Sequence, residues 1–212
     1  MTFKEKAENF WYHNKFGVFL VLFIIALIVL IIWSYSGKTT YDLKLVYFSN
    51  YVLPDGTSEK VEESFRENGL IQDVTEDGEA NFYMESIVRT FVADEYLDEA
   101  TQAKIQTVIV TGDFTLMLAH EYALTDYAQY FEDISDRVRK GDKTFVNPEE
   151  GYVSGISVEG NTYLESLGIK TDDLYVAMRR RHPKDIEKGK DKEFFDGAYK
   201  VMDYILSHNI QN

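Results

Sequence analysis

The sequence predicts an N-terminal membrane helix followed by a single α/β domain. Residues 16–33 form an apolar run that contains neither a charged residue nor a proline. In the 175 residues after Gly37, short runs with strand character alternate with runs whose apolar side chains recur at helical spacing, a pattern typical of a sheet covered by helices. No linker rich in proline, glycine or serine divides these residues, so we expect one domain.

The apolar run has the length of a membrane-spanning helix. Its residues would extend over about 27 Å at about 1.5 Å per residue, close to the thickness of the bilayer hydrocarbon. A buried helix of a soluble protein rarely runs so far without a polar residue. A cleaved signal peptide is the alternative, because Ser34 and Ser36 form a small-x-small pattern before Gly37. The run exceeds the usual signal-peptide core of about 7 to 15 residues, so we expect a retained single-pass anchor whose partner is the lipid bilayer.

Aromatic and basic residues around the run predict its depth and direction. Aromatic rings favour the headgroup layers, and we expect four of them to be interface anchors: Trp11, Tyr12, Trp33 and Tyr35. Three lysines precede the run and two follow it closely: Lys4, Lys6 and Lys15, then Lys38 and Lys44. This balance predicts a cytoplasmic segment (1–15), a transmembrane helix with its exit (16–37) and an extracytoplasmic domain (38–212) at the cell membrane.

A strand and a helix open the predicted domain. Residues 41–49 alternate apolar side chains between two faces, which is typical of a strand. A turn over residues 54–56 then leads to a helix capped by Ser58, with a narrow apolar stripe that includes Val61 and Phe65.

The next stretch is expected to be mostly helical. Residues 71–75 fit a short second strand, and the apolar side chains of residues 82–92 recur at helical spacing. A further helix could start at Asp98 or at Thr101 and extend through Ile109, but the β-branched residues 105–111 fit a strand equally well.

The second half of the domain predicts three more strands. They are short runs of strand character: residues 114–118, 152–158 and 174–178. Residues 139–150 are polar and loop-like. A brief helix should begin at Glu121, a helical turn should cover residues 164–167, and an amphipathic helix over residues 194–206 should end the chain.

Charge and cysteine content exclude several classes of function. The formal net charge is −14, and because the first 37 residues hold three lysines and two glutamates, the remaining 175 carry −15. Such a domain repels a phosphate backbone, so no nucleic-acid partner is expected. The absence of cysteine removes disulfides, thiolate metal sites and cysteine nucleophiles.

Two incomplete motifs argue against a metal site. His120 and Glu121 begin H-E-x-x-H, but Leu124 stands where the second histidine is required. Residues 73–78 resemble the start of a calcium loop, but its twelfth position is Met84 instead of a bidentate glutamate.

Catalytic and phosphate-binding motifs are missing as well. The sequence contains no G-x-S-x-G, P-loop or G-x-G-x-x-G. We therefore predict no catalytic residues and no cofactor, and we expect that the protein is not an enzyme.

Arg179, Arg180 and Arg181 form the one basic concentration in the acidic domain, with His182 and Lys184 close by. They follow a predicted strand and would contact a ligand or partner if they lie at the carboxyl edge of the sheet, because guanidinium groups bind carboxylates and phosphates bidentately. The alternatives are pairing with neighbouring Asp and Glu side chains or contact with anionic lipid.

Three passages resemble the type II extracytoplasmic solute-binding proteins of bacterial transporters. The first is the Gly112, Asp113, Phe114 turn into a strand, followed by an aromatic-rich helix and residues 133–136. The second is the crossing strand over residues 152–158. The third is residues 174–178 with a basic, proline-containing loop and a C-terminal helix.

The resemblance implies a domain similar to one lobe of such a protein. Thr115 departs from the family pattern, which often has a second acidic residue there, and the chain after the membrane run is about half the family length.

We expect a non-enzymatic, membrane-anchored extracytoplasmic recognition module that binds a partner protein, such as another membrane protein, or a solute. The alternatives are a structural subunit of a membrane complex that acts through its transmembrane helix, and a cell-envelope hydrolase.

Overall fold

The computed structural model describes residues 2–36, 40–89, 99–110, 114–181 and 189–209. The chain forms two separate units, residues 1–40 and residues 41–212. The first contains one helix, α1 (Phe3–Ser36), and the second contains a six-stranded mixed sheet with helices. An apolar N-terminal helix followed by an α/β domain is therefore confirmed.

Helix α1 is long and apolar enough to cross a membrane over Trp11–Leu30, and none of this stretch is buried. A signal sequence near the N-terminus would have the same properties. At its start, Trp11 is 50% and Tyr12 is 74% exposed. Trp33 and Tyr35 belong to the helix, but their side chains lie outside the description, so the four interface anchors stay predictions.

The domain contains six strands and five helices in the described residues. The strands are β1 (Leu43–Ser49), β2 (Phe82–Val88), β3 (Leu116–His120), β4 (Thr144–Val146), β5 (Val153–Ser157) and β6 (Leu174–Met178). The helices are α2 (Thr57–Glu67), α3 (Glu99–Ile105), α4 (Glu121–Asp126), α5 (Thr162–Ser166) and α6 (Gly189–Ser207). A π-helical turn, Gln106–Val110, continues α3.

The strand order is β2-β1-β3-β6-β5-β4. Strand β1 is parallel to β2 and to β3, whereas β3–β6, β6–β5 and β5–β4 are antiparallel. The carboxyl ends of β1, β2 and β3 thus lie at one edge of the sheet, and the carboxyl end of β6 lies at the opposite edge. From β1 the chain goes to β2 on one side and then to β3 on the other.

Both faces of the sheet are buried under apolar layers. On one face, the side chains of α2 and α6 pack on Leu45, Leu118 and Val176. On the other, Ile109, at the end of the helical segment that follows β2, and Leu124 of α4 pack with Val46, Phe48 and Met117. A strand buried on both faces reads as a continuous apolar run, which made β6 and most of β3 predictable, whereas β1, which contains Lys44, was predicted from its alternation.

Residues 82–88 form a strand and not the predicted helix. All seven pair in parallel with β1, from Leu43 opposite Phe82 to Ser49 opposite Val88. Strand β2 is at the edge of the sheet and only Phe82 and Ile87 are buried, so its alternation is weak, and the i, i+4 spacing of Ile87 and Val88 with the residues after the strand favoured a helix. Pairing with a distant strand overrides that local pattern. The rest of the predicted helix, residues 90–92, lies outside the described part.

Residues 71–75 are irregular and do not form the predicted strand. Their backbone is held by Asp42, a buried carboxylate just before β1, whose Oδ1 accepts the N–H groups of Val74 at 2.7 Å and Thr75 at 2.8 Å. The Oδ2 atom accepts the N–H of Asn81 at 2.6 Å. A buried carboxylate therefore supplies the hydrogen bonds that a neighbouring strand would provide.

Three smaller differences complete the comparison. Helix α2 begins at Thr57, after the N-cap residue Gly56 in the left-handed conformation, so the predicted cap Ser58 lies inside the helix. Residues 106–110, which fitted either a helix or a strand, are helical. The predicted loop 139–150 includes the short strand β4, which pairs with β5.

Gly155 tests the packing of α4 on β5. A Cβ at this position would lie 2.6 Å from Leu124 Cδ1 and 3.3 Å from the Cβ atoms of Phe145 and Tyr175. We expect Gly155→Ala to lower the free energy of unfolding by about 1–3 kcal/mol through overpacking. Urea unfolding of the detergent-solubilised full chain, followed by circular dichroism, measures it.

Gly197→Ala is the matched control. Gly197 lies within α6, and a Cβ there would meet nothing within 4 Å. We expect it to raise stability by about 1 kcal/mol, the difference in helix propensity between alanine and glycine. Equal effects of the two substitutions would contradict the close approach at Gly155.

Candidate functional site

The carboxyl edge of the three parallel strands is the candidate site. In open α/β sheets, ligands bind outside the carboxyl ends of the strands, where successive connections lead to opposite sides. Strand β1 occupies this position between β2 and β3. The residues that follow these strands, Asn50, Arg89 and Glu121, therefore come together at one edge.

Arg89 is held in a defined orientation at this edge. Its backbone N–H donates to the Ser49 carbonyl at 2.9 Å, which continues the β1–β2 ladder by one residue. Its Nη1 donates to Asp126 Oδ2 at 2.7 Å, and the guanidinium lies 5.0 Å from the centre of the Tyr122 ring. The side chain is 24% exposed, so part of this ion-paired guanidinium is accessible to solvent.

Aromatic rings form the floor below Arg89. Tyr122 stacks on His120 with ring centres 4.7 Å apart and contacts Phe48 edge-on at 5.4 Å. The ring of Tyr127 lies 6.4 Å from that of Phe48. Burial raises the pKa of Tyr122 far above its usual range, and Arg89 only partly offsets this. Burial likewise raises the pKa of Tyr127, so both phenols stay neutral at physiological pH.

Two polar groups near this edge lack hydrogen bonds to any described residue. They are the hydroxyl of Tyr47, whose residue is fully buried, and Nδ1 of His120. Burial raises the pKa of Tyr47, and the nearby Ser49 side chain partly opposes this. An unsatisfied buried polar group costs about 1–3 kcal/mol, so such groups are uncommon and concentrate where a water or ligand binds.

The predicted contact residues Arg179, Arg180 and Arg181 lie at the opposite edge. They follow β6, which runs antiparallel to β3, so they do not meet the stated condition for ligand contact, a position at the carboxyl edge of the parallel strands. His182 and Lys184 lie outside the described residues.

Arg180 and Arg181 pair with acidic side chains, which was the stated alternative to contact with a ligand. Arg180 forms an ion pair with Glu150 and donates to Tyr152 Oη at 3.0 Å. Arg181 Nε donates to Glu132 Oε1 at 3.0 Å. The bond from Arg180 lowers the pKa of Glu150, and the carboxylates raise the pKa values of both arginines. A ligand or partner contact at these arginines remains a prediction.

The segment that resembles a calcium loop is closed by its own hydrogen bonds. The Asp73 carboxylate accepts the backbone N–H groups of Asp77 at 3.2 Å and Gly78 at 2.9 Å. Asp77 Oδ1 accepts the N–H of Glu79 at 3.0 Å. Within the described ranges, no three Asp, Glu or His side chains are grouped to hold a metal ion.

Arg89 was missed because residues 82–92 read as a helix, which placed it in the middle of an element. As the residue after a strand, it would have been an edge candidate. The tyrosines after β3 were visible as an aromatic cluster in the sequence, but only the fold brings them next to Arg89.

Comparison of the chain with protein-family models, curated proteins and solved structures finds no match.

The unsatisfied hydroxyl of Tyr47 gives a stability prediction. We expect Tyr47→Phe to raise the free energy of unfolding by about 1 kcal/mol, because it removes a desolvated group that makes no protein hydrogen bond. The control is Tyr152→Phe, since the Tyr152 hydroxyl donates to the Phe131 carbonyl at 2.9 Å and accepts from Asn147 Nδ2 at 3.1 Å.

The control should lower stability by about 1–2 kcal/mol. Urea unfolding of the full-length variants in detergent gives both values. A loss of stability in Tyr47→Phe as large as in the control would contradict the prediction and indicate that the Tyr47 hydroxyl is hydrogen-bonded in solution.

Proposed function

We propose that this protein is a single-pass membrane protein whose domain, residues 38–212, lies outside the membrane on the extracytoplasmic side and recognises a partner protein or a solute without catalysing a reaction. The observation that carries the proposal is the exposed apolar surface of α1 next to a separately folded domain. Burying one large apolar side chain is worth about 1.5–3 kcal/mol, so covering this helix with lipid is strongly favourable. The lysine balance around the helix supports the orientation.

The carboxyl edge of β1–β3 is the proposed recognition surface. The fixed guanidinium of Arg89 suits a carboxylate or another anionic group, and the rings of Tyr122 and Tyr127 suit a flat or apolar part of the same ligand. A ligand that combines an acidic group with an apolar body matches this chemistry.

Recognition on a sheet edge also agrees with the size of the domain. The described residues 41–209 form one sheet and one compact unit, which is consistent with the proposed similarity to a single lobe of a type II solute-binding protein. We infer that the ligand or partner binds on the surface of this lobe, and not in a cleft between two lobes.

Arg89→Ala tests the proposed surface. The full chain in detergent is screened by thermal shift against small carboxylates with apolar or aromatic groups, and a photo-crosslinking residue at Thr125, an exposed position of α4, probes for a protein partner in cells. We expect a ligand-induced rise in Tm or a discrete crosslinked adduct, and we expect Arg89→Ala to abolish it.

The control is Arg66→Ala, which breaks an exposed ion pair with Glu62 on α2 and should change neither readout. If neither a thermal shift nor an adduct occurs, or if both variants lose the signal equally, recognition at this edge is refuted.

A further inference from the structure

The outer side of β2 is an open edge, because among the described strands only β1 pairs with β2. The register between the two strands shows which backbone groups face outward. Leu43 N–H donates to the Asn81 carbonyl at 3.3 Å. Arg89 N–H donates to the Ser49 carbonyl at 2.9 Å. Since backbone groups alternate in direction along a strand, the odd-numbered residues of β2 bond to β1. The even-numbered residues direct their N–H and C=O groups outward: Phe82, Met84, Ser86 and Val88.

The side chain of Lys104, from α3, bonds to one of these outward groups. Its Nζ donates to the Ser86 carbonyl at 2.7 Å and forms an ion pair with Glu85. In the part of the domain that the structure describes, it is the one side chain that bonds to an outward backbone group of β2. The helix thus closes the middle of the open edge through a single lysine.

An open edge can pair with the strand of another molecule, and natural proteins often place a lysine at an edge to prevent this. The contacts of Lys104 suit that role. Its ammonium group occupies the Ser86 carbonyl, an acceptor that an added strand would need. The side chain is also 42% exposed, so an added strand would have to remove water from its charge, which is unfavourable.

A second copy of this chain carries a strand that complements β2. Two β2 strands related by a two-fold axis run antiparallel and use the same residues on both copies. When Met84 lies opposite its own copy, Tyr83 lies opposite Glu85 of the second copy, so a hydroxyl faces a carboxylate. No like charges are opposed in this register. A register centred on Glu85 would place two carboxylates directly opposite each other, which is destabilising.

We propose that Lys104 protects the open edge of β2 and keeps the chain from pairing with a second copy of itself. Without the lysine, the Ser86 carbonyl loses its side-chain donor, and a backbone N–H of a second β2 strand supplies the missing hydrogen bond. The contact lies within the domain, so the proposal does not depend on the membrane span or on ligand binding near Arg89.

Lys104→Ala tests this role. The mass of the full chain in detergent is measured by size-exclusion chromatography with light scattering over a range of concentrations. Lys60→Ala, which removes an exposed lysine of α2, is the matched control. We expect Lys104→Ala to form dimers at about a tenfold lower concentration than the unchanged chain, because a hydrogen bond from a charged donor no longer competes with the added strand. Lys60→Ala should not change this concentration.

Ser86→Pro in the Lys104→Ala chain shows whether the dimer forms through β2. The proline removes an outward N–H and leaves the bonds to β1 in place, which edge strands tolerate. We expect this double variant, with folding checked by circular dichroism, to return to the mass of the unchanged chain.

Amide hydrogen exchange of the Lys104→Ala dimer gives a readout that needs no proline. The outward N–H groups of Met84 and Val88 should exchange more slowly in the dimer than in the monomer. The proposal is overturned if Lys104→Ala dimerises no more readily than Lys60→Ala, if a folded double variant still dimerises, or if these amides exchange equally fast in dimer and monomer.

Discussion

The apolar surface of α1 is the constraint on which the location of the whole protein depends. Its side chains between Phe16 and Leu30 are exposed, with values such as 81% for Phe16 and 62% for Phe23. In water this surface would cost tens of kcal/mol at about 1.5–3 kcal/mol per large side chain, more than the about 5–15 kcal/mol by which an ordinary domain is stable. The domain that follows forms its core from its own residues. The helix is thus long and apolar enough to cross a membrane, a property that a signal sequence would share.

Within the domain, β1 organises both layers and the candidate site. It pairs with β2 along its full length and with β3 over four residues, and its side chains contribute to the core on each face. Asp42, directly before it, fixes the irregular segment that leads into β2. The carboxyl end of β1 reaches Arg89, whose backbone N–H donates to the Ser49 carbonyl.

The sequence predicted those elements whose signal is local. Residues 174–178 were predicted with the correct bounds because β6 is buried on both faces and reads as one apolar run. The edge strand β2 was missed, since only Phe82 and Ile87 of it are buried and the i, i+4 pairs Ile87/Phe91 and Val88/Val92 have the spacing of a helix. The same error concealed Arg89. The acidic partners of Arg180 and Arg181 lie 30 and 49 residues away in sequence, so composition indicated pairing but only the fold identifies Glu150 and Glu132.

The orientation of the full chain in a cell membrane tests the central claim most directly. Single cysteines at Thr2 and at Asp172, an exposed residue of the domain, are treated with a membrane-impermeant maleimide in intact cells and again after lysis. An anchored chain with an external domain predicts labelling of Asp172→Cys in intact cells and of Thr2→Cys only after lysis. Labelling in the reverse order, or recovery of the intact chain as a soluble protein without detergent, would contradict it.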